Sequence, residues 1–511
     1  MAAQTIDANI GTEGGTQEVS QIKVIRDKYG YFYLAWMDYD GSYNRVWLVK
    51  SSNILGTSWG IPVGLAGNSA SFIFNQGNYS QLRPSLAIDN ANDRLHVVWS
   101  DRSTSAWTVA YSCCVDLDNL DDSNSWKKAD LSTQGFDQPN SGPGTTQMGY
   151  YPSIVLTFDG KPAFITTGYN ASNVFTGYYN RYNGGWLGSA VAVFINATGV
   201  FNVGIAIDST DKLHAVYRSI DVFYKSCAFA DADTASNWKK RDGTAGEDTV
   251  INPNNAIPTG EVKLAIDSND RAWIVAGEGT DLDIHYNYST GATTWNNATG
   301  TALDTTGNLK EPSIGFGSDS NIYIAYVDNS NNDVVYKAST VAGTPSFGSK
   351  TVIYNASATQ YYPLLEMRGE LVDYLGVLWT RLNGAQYDLM FDLLSITTAP
   401  VQSGIDPATG ANNGNVPVTI TGTDFRYGAA VKLTKLGESD INATSIVVSS
   451  DTELTCSFDL TGTVTGTWDL VVTNPAGGTC NTPVTFEITE YVPPAGGEAS
   501  GFSINSGIGD Y

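Results

Sequence analysis

Seven times along the chain a short apolar run meets a turn of Asp, Asn, Ser or Gly and is answered by a second apolar run rich in aromatics. Residues 22–36 read IKVIRDKYGYFYLAW, 84–99 PSLAIDNANDRLHVVW, 152–165 PSIVLTFDGKPAFI and 203–217 VGIAIDSTDKLHAVY. Residues 262–275 read VKLAIDSNDRAWIV, 312–326 PSIGFGSDSNIYIAY and, most divergent, 363–379 PLLEMRGELVDYLGVLW. A third strand is expected after each pair, as in Val109-Ala-Tyr-Ser, Val222-Phe-Tyr-Lys, Ile284-His-Tyr-Asn and Val334-Val-Tyr-Lys. Trp59, Trp126, Trp186, Trp238, Trp295 and Phe347 then mark the approach to a fourth. Apolar and polar positions alternate only loosely, the pattern of sheets packed on both faces.

Seven copies about 50–70 residues apart fall in the period range of propeller blades. The expected fold is all-β, a seven-bladed β-propeller over residues 21–396. Blade seven runs out of chain after three strands. Gln4-Thr-Ile-Asp-Ala8 resembles Lys350-Thr-Val-Ile-Tyr354 of blade six, so residues 1–20 are expected to supply the missing outer strand and close the ring. The architecture resembles the sialidase-like propellers. Of their aspartate box only the Trp survives here, as in Asn124-Ser-Trp126 and Ser236-Asn-Trp238.

Around Ala399-Pro400 the repeat stops. Residues 402–488 contain Ile405-Asp-Pro407, Val418-Thr-Ile-Thr-Gly-Thr-Asp-Phe425, Trp468-Asp-Leu-Val-Val-Thr-Asn-Pro475 and Phe486-Glu-Ile488. This order of motifs is similar to the immunoglobulin-like IPT/TIG domain. The resemblance implies a C-terminal Ig-like β-sandwich, a type of module used as a spacer or adhesive unit in surface proteins. Residues 489–511, with Pro493-Pro494 and Gly496-Gly497, are expected to form a flexible tail.

Composition narrows the function classes. Among 511 residues, 28 Lys and Arg face 52 Asp and Glu, for a net charge of −24. Phosphate binding needs clustered basic residues, so nucleic acid is not an expected partner. No apolar run approaches the roughly 20 residues of a membrane span, and no membrane insertion is expected. Met1-Ala-Ala-Gln-Thr-Ile-Asp lacks the basic-then-apolar order of a Sec signal peptide. An expected location that reconciles this start with a surface-type composition is a virion or extracellular surface. The five Cys show no metal-type CxxC spacing; Cys456 and Cys480 lie in one small domain, where a disulfide is left open. The Asp-rich turns lack the ligand count of a calcium loop and read as Asx turns. His96 and His214 share one repeat position and read, like His285, as satisfied strand residues. No metal and no cofactor are expected.

Loops leading into each first strand, and loops between the second and third strands, gather on one face. Arg83, Arg102, Tyr150, Tyr151, Arg218, Tyr361, Tyr362 and Arg381 are the candidate ligand-binding residues there, beside carboxylates that include Asp101, Glu311 and Asp328. In the sialidase group an arginine triad clamps the substrate carboxylate, with a Tyr–Glu pair and an Asp as the chemical groups. Arg83-Pro84 departs from that group's Arg-x-Pro, and no nucleophile can be placed, so no catalytic residue is assigned. The expected function is a non-catalytic binding or structural protein, such as a phage tail, fibre or decoration component. Its expected partners are other virion or surface proteins and a host-surface glycan. The alternative is a sialidase-like glycosidase or polysaccharide lyase.

Overall fold

The computed structural model describes residues 3–10, 23–39, 43–67, 72–75, 81–102, 107–139, 147–196, 199–252, 261–277, 283–291, 293–297, 299–340, 343–355, 357–367, 372–396, 398–480 and 484–492. The chain divides into two compact units, Met1–Ile396 and Thr397–Tyr511. Most of the segment read as a tail, 493–511, lies outside the described residues, as do residues 11–20.

The first unit is a seven-bladed β-propeller built from seven antiparallel sheets in chain order. Each blade's first strand is innermost: Val24–Arg26, Gln81–Asp89, Gln147–Leu156, Phe201–Ile207, Val262–Ile266, Leu309–Phe316 and Gln360–Leu365. Innermost strands of successive blades touch one another from blade one to blade seven, and that of blade one touches the second strand of blade seven. Large side chains fill the clefts between blades. Phe74 of blade one lies parallel to Trp99 of blade two, centroids 5.7 Å apart. Trp36, Trp99, Trp126, Trp238, Trp273 and Trp379 are fully buried. Burial on both sheet faces explains the weak alternation in sequence.

The ring closes through its N-terminus. Gln4–Ile10 pairs antiparallel with Gln386–Ser395 as the outer strand of blade seven. It also reaches blade one: Gln4 Nε2 donates to the Gly56 carbonyl at 2.9 Å, and the Trp36 indole donates to Asp7 at 3.1 Å. A second link is buried deeper. Arg26 of blade one pairs with Glu366 of blade seven at 2.9 Å, with side chains only 4% and 2% exposed. Blade one carries an unexpected fifth strand, Phe74–Asn75, parallel to Val63–Gly67.

The Asp-rich turns are tight hairpin turns whose leading carboxylate is consumed locally. Asp27 Oδ1 accepts from the backbone N–H of Tyr29 and Tyr31, Asp208 Oδ1 from Thr210 and Lys212, and Asp267 Oδ1 from Asn269 and Arg271. Asp93, Asp211 and Asp270 take the left-handed position that ends the turn, a conformation Asp tolerates well. These turns also clasp neighbouring blades. Lys28 N–H donates to Asn90, Phe158 N–H to Asp211 and Ser209 N–H to Asp270. His96 and His214 are buried against Tyr111 and Tyr224 at 2.7 and 2.6 Å. Burial pushes the His96 imidazole down to about 4.

The second unit is a β-sandwich of two sheets. One orders Val401–Asp406, Asn415–Thr423, Glu453–Asp459 and Thr444–Ser450; the other holds five strands. Phe425, Leu433, Phe458, Trp468 and Phe486 fill its core. Cys456 is buried and Cys480 partly exposed, and all five cysteines are free thiols.

Candidate binding site

Five innermost strands carry the same irregularity at the mouth of the propeller. Arg83, Tyr151, Asn202, Glu311 and Tyr362 sit at φ of 54°, 56°, 46°, 59° and 49°. The strand register slips at each of these points. Four of the five precede a proline, Pro84, Pro152, Pro312 or Pro363, which has no N–H to offer the ladder. A left-handed conformation costs a side-chain-bearing residue on the order of 1–2 kcal/mol. Such bulges re-aim side chains, and strain of this kind gathers where a structure binds or reacts. Two serines just past the proline hold the bulge to the next blade. Ser313 Oγ accepts from Leu365 N–H at 2.9 Å, and Ser85 Oγ from Ile154 N–H at 3.4 Å.

Four candidate residues meet at blades two and three. The Arg83 guanidinium lies 4.5 Å from the Tyr151 ring and 5.7 Å from the Tyr150 ring. Arg102, exposed, lies 5.5 Å over Trp107, and Trp107 is 5.5 Å from Tyr150. Tyr150 in turn touches Phe175 at 5.4 Å and Tyr169 at 6.3 Å. All five rings are half-buried, so each shows part of itself to solvent. Arg83 is buried beside these rings and Arg102 is exposed over one of them, so the patch joins electron-rich faces with positive charge.

Tyr361 and Tyr362 form a second cluster at blades six and seven. Their rings stack 6.2 Å apart, and Lys310 Nζ lies 5.0 Å over Tyr361. Glu311 accepts from the Tyr362 N–H at 2.6 Å, and burial pushes its carboxyl up to about 7. The remaining candidates are held elsewhere. Arg218 is buried and donates to the Gly277 carbonyl of the next blade. Arg381 is tied to Asp388 and donates to Tyr354 at 2.9 Å. Asp101 is buried and accepts from Gln138, and Asp328 pairs with Lys350.

Charged groups that sequence reasoning missed lie on or just before the innermost strands. Lys23, Glu261 and Lys263 are buried, with Lys263 Nζ 3.0 Å from Glu261. Lys23 of blade one interacts electrostatically with both of these blade-five residues. Burial, reinforced by Lys263, pushes Lys23 down to about 7. The repeat could have disclosed them: Lys23 and Lys263 stand where Ser85, Ser153 and Ser313 stand in other copies. Trp107, also missed, lies two residues before a recognised third strand. Among the described residues no group of three or more His, Cys, Asp or Glu is placed to hold a metal ion.

The geometry defines a β-propeller with a mouth of strained polar and aromatic residues, joined in sequence to an Ig-like sandwich. Residues 400–488 match the IPT/TIG domain family. Among solved structures, the polysaccharide lyase Uly1 aligns with 75% of this chain and 91% of its own, at 13% identity and a TM-score of 0.46. The Hadza microbial sialidase Hz136 aligns over 77% and 68%, at 8% identity and a TM-score of 0.45. The Trypanosoma rangeli sialidase aligns over 95% and 88%, at 8% identity and a TM-score of 0.44. Likeness at this level does not reach function. No curated protein matches the chain in sequence. No helix among the described residues is long and apolar enough to cross a membrane.

Proposed function

We propose that this chain is a glycan-binding protein of a virion or cell surface, with its receptor site at blades two and three. The observation that carries the reading is the patch of five half-exposed rings bearing Arg83 and Arg102. Pyranose rings stack on aromatic faces, and a guanidinium pairs with a sugar carboxylate or sulfate. An acidic oligosaccharide is therefore the favoured ligand. A phage tail or fibre component is the specific form proposed, in which the IPT/TIG domain serves as a spacer or adhesive module.

A glycan array of the full chain tests this. Binding to acidic glycans is expected, weakened at least about tenfold by Tyr150→Ala or Arg102→Ala, since an aromatic or charge-assisted contact contributes on the order of 1.5 kcal/mol. An array without acidic-glycan binding, or binding indifferent to both substitutions, refutes it. Proteomics of purified particles tests the virion setting. A second reading, a glycosidase or lyase, would use Glu311, a carboxyl at a strained bulge of the mouth whose burial raises its pKa. Turnover of a fluorogenic sugar panel, abolished by Glu311→Gln, would establish that reading.

A further inference from the structure

The turn face, at the opposite end of the strands from the mouth, carries a groove between blades one and two. It has two lobes, of about 580 and about 660 Å3, which share Lys50, Ser51, Ser52, Leu117 and Asp118. Trp47, Val63, Ile73 and Leu120 line the larger lobe, and Ile61 stands at its lip, 90% exposed. An isoleucine this exposed beside an apolar trough leaves hydrophobic surface uncovered. Asp116, Asp118 and Asp121 edge the groove. Its one lysine, Lys50, is committed to Asp118 at 2.8 Å and to the Leu117 carbonyl at 3.2 Å. Nearby Lys28 is committed to Asp93 at 3.0 Å. No cation lies within ion-pair distance of Asp116 or Asp121 among the described residues. The lip is therefore net negative.

The aromatic rings lining the groove each have a ring or cation partner. Trp47 stacks on Trp36 at 6.5 Å and meets Phe72 at 5.2 Å. Lys50 Nζ lies 5.0 Å over Tyr31 and Lys28 Nζ 5.1 Å over Tyr29. Backbone, in contrast, has an open edge. Phe74–Asn75 pairs with Ala66 and Gly67, and Ile73 N–H reaches the Gly64 carbonyl, so the Ile61–Val63 end of that edge has no neighbouring strand among the described residues. Pro62 limits pairing there to a short stretch.

We infer that this groove docks an extended peptide segment of a partner protein, in which apolar side chains enter the trough and Lys or Arg side chains meet Asp116 and Asp121. An extended chain presents alternate residues to opposite sides, the arrangement that an apolar floor beneath an acidic lip selects. The inference is independent of the mouth site.

A displayed peptide library panned against the full chain tests it. The expected enriched peptides alternate Leu, Ile or Val with Lys or Arg. A synthetic copy should bind at least tenfold more weakly to Ile61→Asp and to Asp121→Lys, both surface changes, and unchanged to Arg83→Ala. Rising salt should weaken it. The inference is overturned if panning enriches nothing, if the enriched peptides are acidic, or if binding ignores Ile61→Asp and Asp121→Lys. A dimer in sedimentation that Ile61→Asp dissolves would assign the groove to a second copy instead. An array glycan lost in Ile61→Asp would assign it to a sugar.

Discussion

Substituting Glu366 by Gln should cost the propeller about 3–5 kcal/mol, the range measured when one member of a buried ion pair is removed. Arg26 and Glu366 join the first and last blades, where closure is decided. Arg26 Nη2 donates to Glu366 at 2.9 Å and to the Tyr374 carbonyl at 2.9 Å, and its guanidinium lies 3.9 Å over Phe32. Glu366 also accepts from Gly376 N–H at 3.1 Å. Burial pushes the Arg26 guanidinium down and the Glu366 carboxyl up, the mark of a pair whose desolvation outweighs its attraction. Nε and Nη1 of Arg26 and Oε1 of Glu366 are buried without hydrogen bonds. The pair is thus costly to break and weak as net stabilisation. The double variant Arg26→Met/Glu366→Leu should accordingly regain most of the loss of either single variant. Urea denaturation followed by tryptophan fluorescence, with a separate probe on the sandwich, measures this. In Arg26→Met, Glu366 must keep a proton that the unfolded chain releases near its ordinary value of 4.5. Stability of that variant should then fall as pH rises above 4.5. Single variants that lose under about 1 kcal/mol, or a double variant worse than both, would refute the argument.

Opposite shifts on the axis predict a stability minimum near pH 7. Folded Glu311 keeps a proton between its ordinary 4.5 and about 7 that the unfolded chain has lost, so stability falls with rising pH over that window. Folded Lys23 lacks a proton between about 7 and its ordinary 10.5 that the unfolded chain holds, so stability rises there. Calorimetry at pH 5, 7 and 9 should show Glu311→Gln flattening the acid arm and Lys23→Met the alkaline arm, each by up to about 3 kcal/mol. Deleting residues 1–10 should bare the edge of Gln386–Ser395 and leave the Trp36 indole without Asp7. A lower melting temperature and self-association on size exclusion are expected, and an unchanged monomer would count against strand closure.

What the sequence discloses, and what it hides, follows from distance along the chain. Blades were legible because each is made from neighbouring residues whose turns repeat. The closing strand at Gln4–Ile10 was legible for a different reason: a count of strands left blade seven one short, and only one unassigned segment resembled a fourth strand. The hydrogen-bonded Asp turns are legible from their residues alone. Their second duty, clasping the next blade, was hidden because Lys28 and Asn90, or Ser209 and Asp270, are brought together by the ring. The mouth was hidden more deeply. Arg, Tyr and Glu disfavour the left-handed region, so no local preference announces the bulges; the only written trace is the recurring Xaa-Pro, with Ser after it in three blades. The four arginines show how much turns on this. Arg83 stands on a first strand and the other three at or just past the ends of second strands, and they differ by neighbour: Arg83 lies against Tyr151 and Arg102 over Trp107, while Arg218 donates to the Gly277 carbonyl and Arg381 pairs with Asp388. The difference lies in the neighbouring strand: a carbonyl or carboxylate there takes the guanidinium, whereas a ring leaves it beside an aromatic surface. Among these four, the aromatic neighbours Tyr151 and Trp107 set Arg83 and Arg102 apart as the candidates for ligand contact.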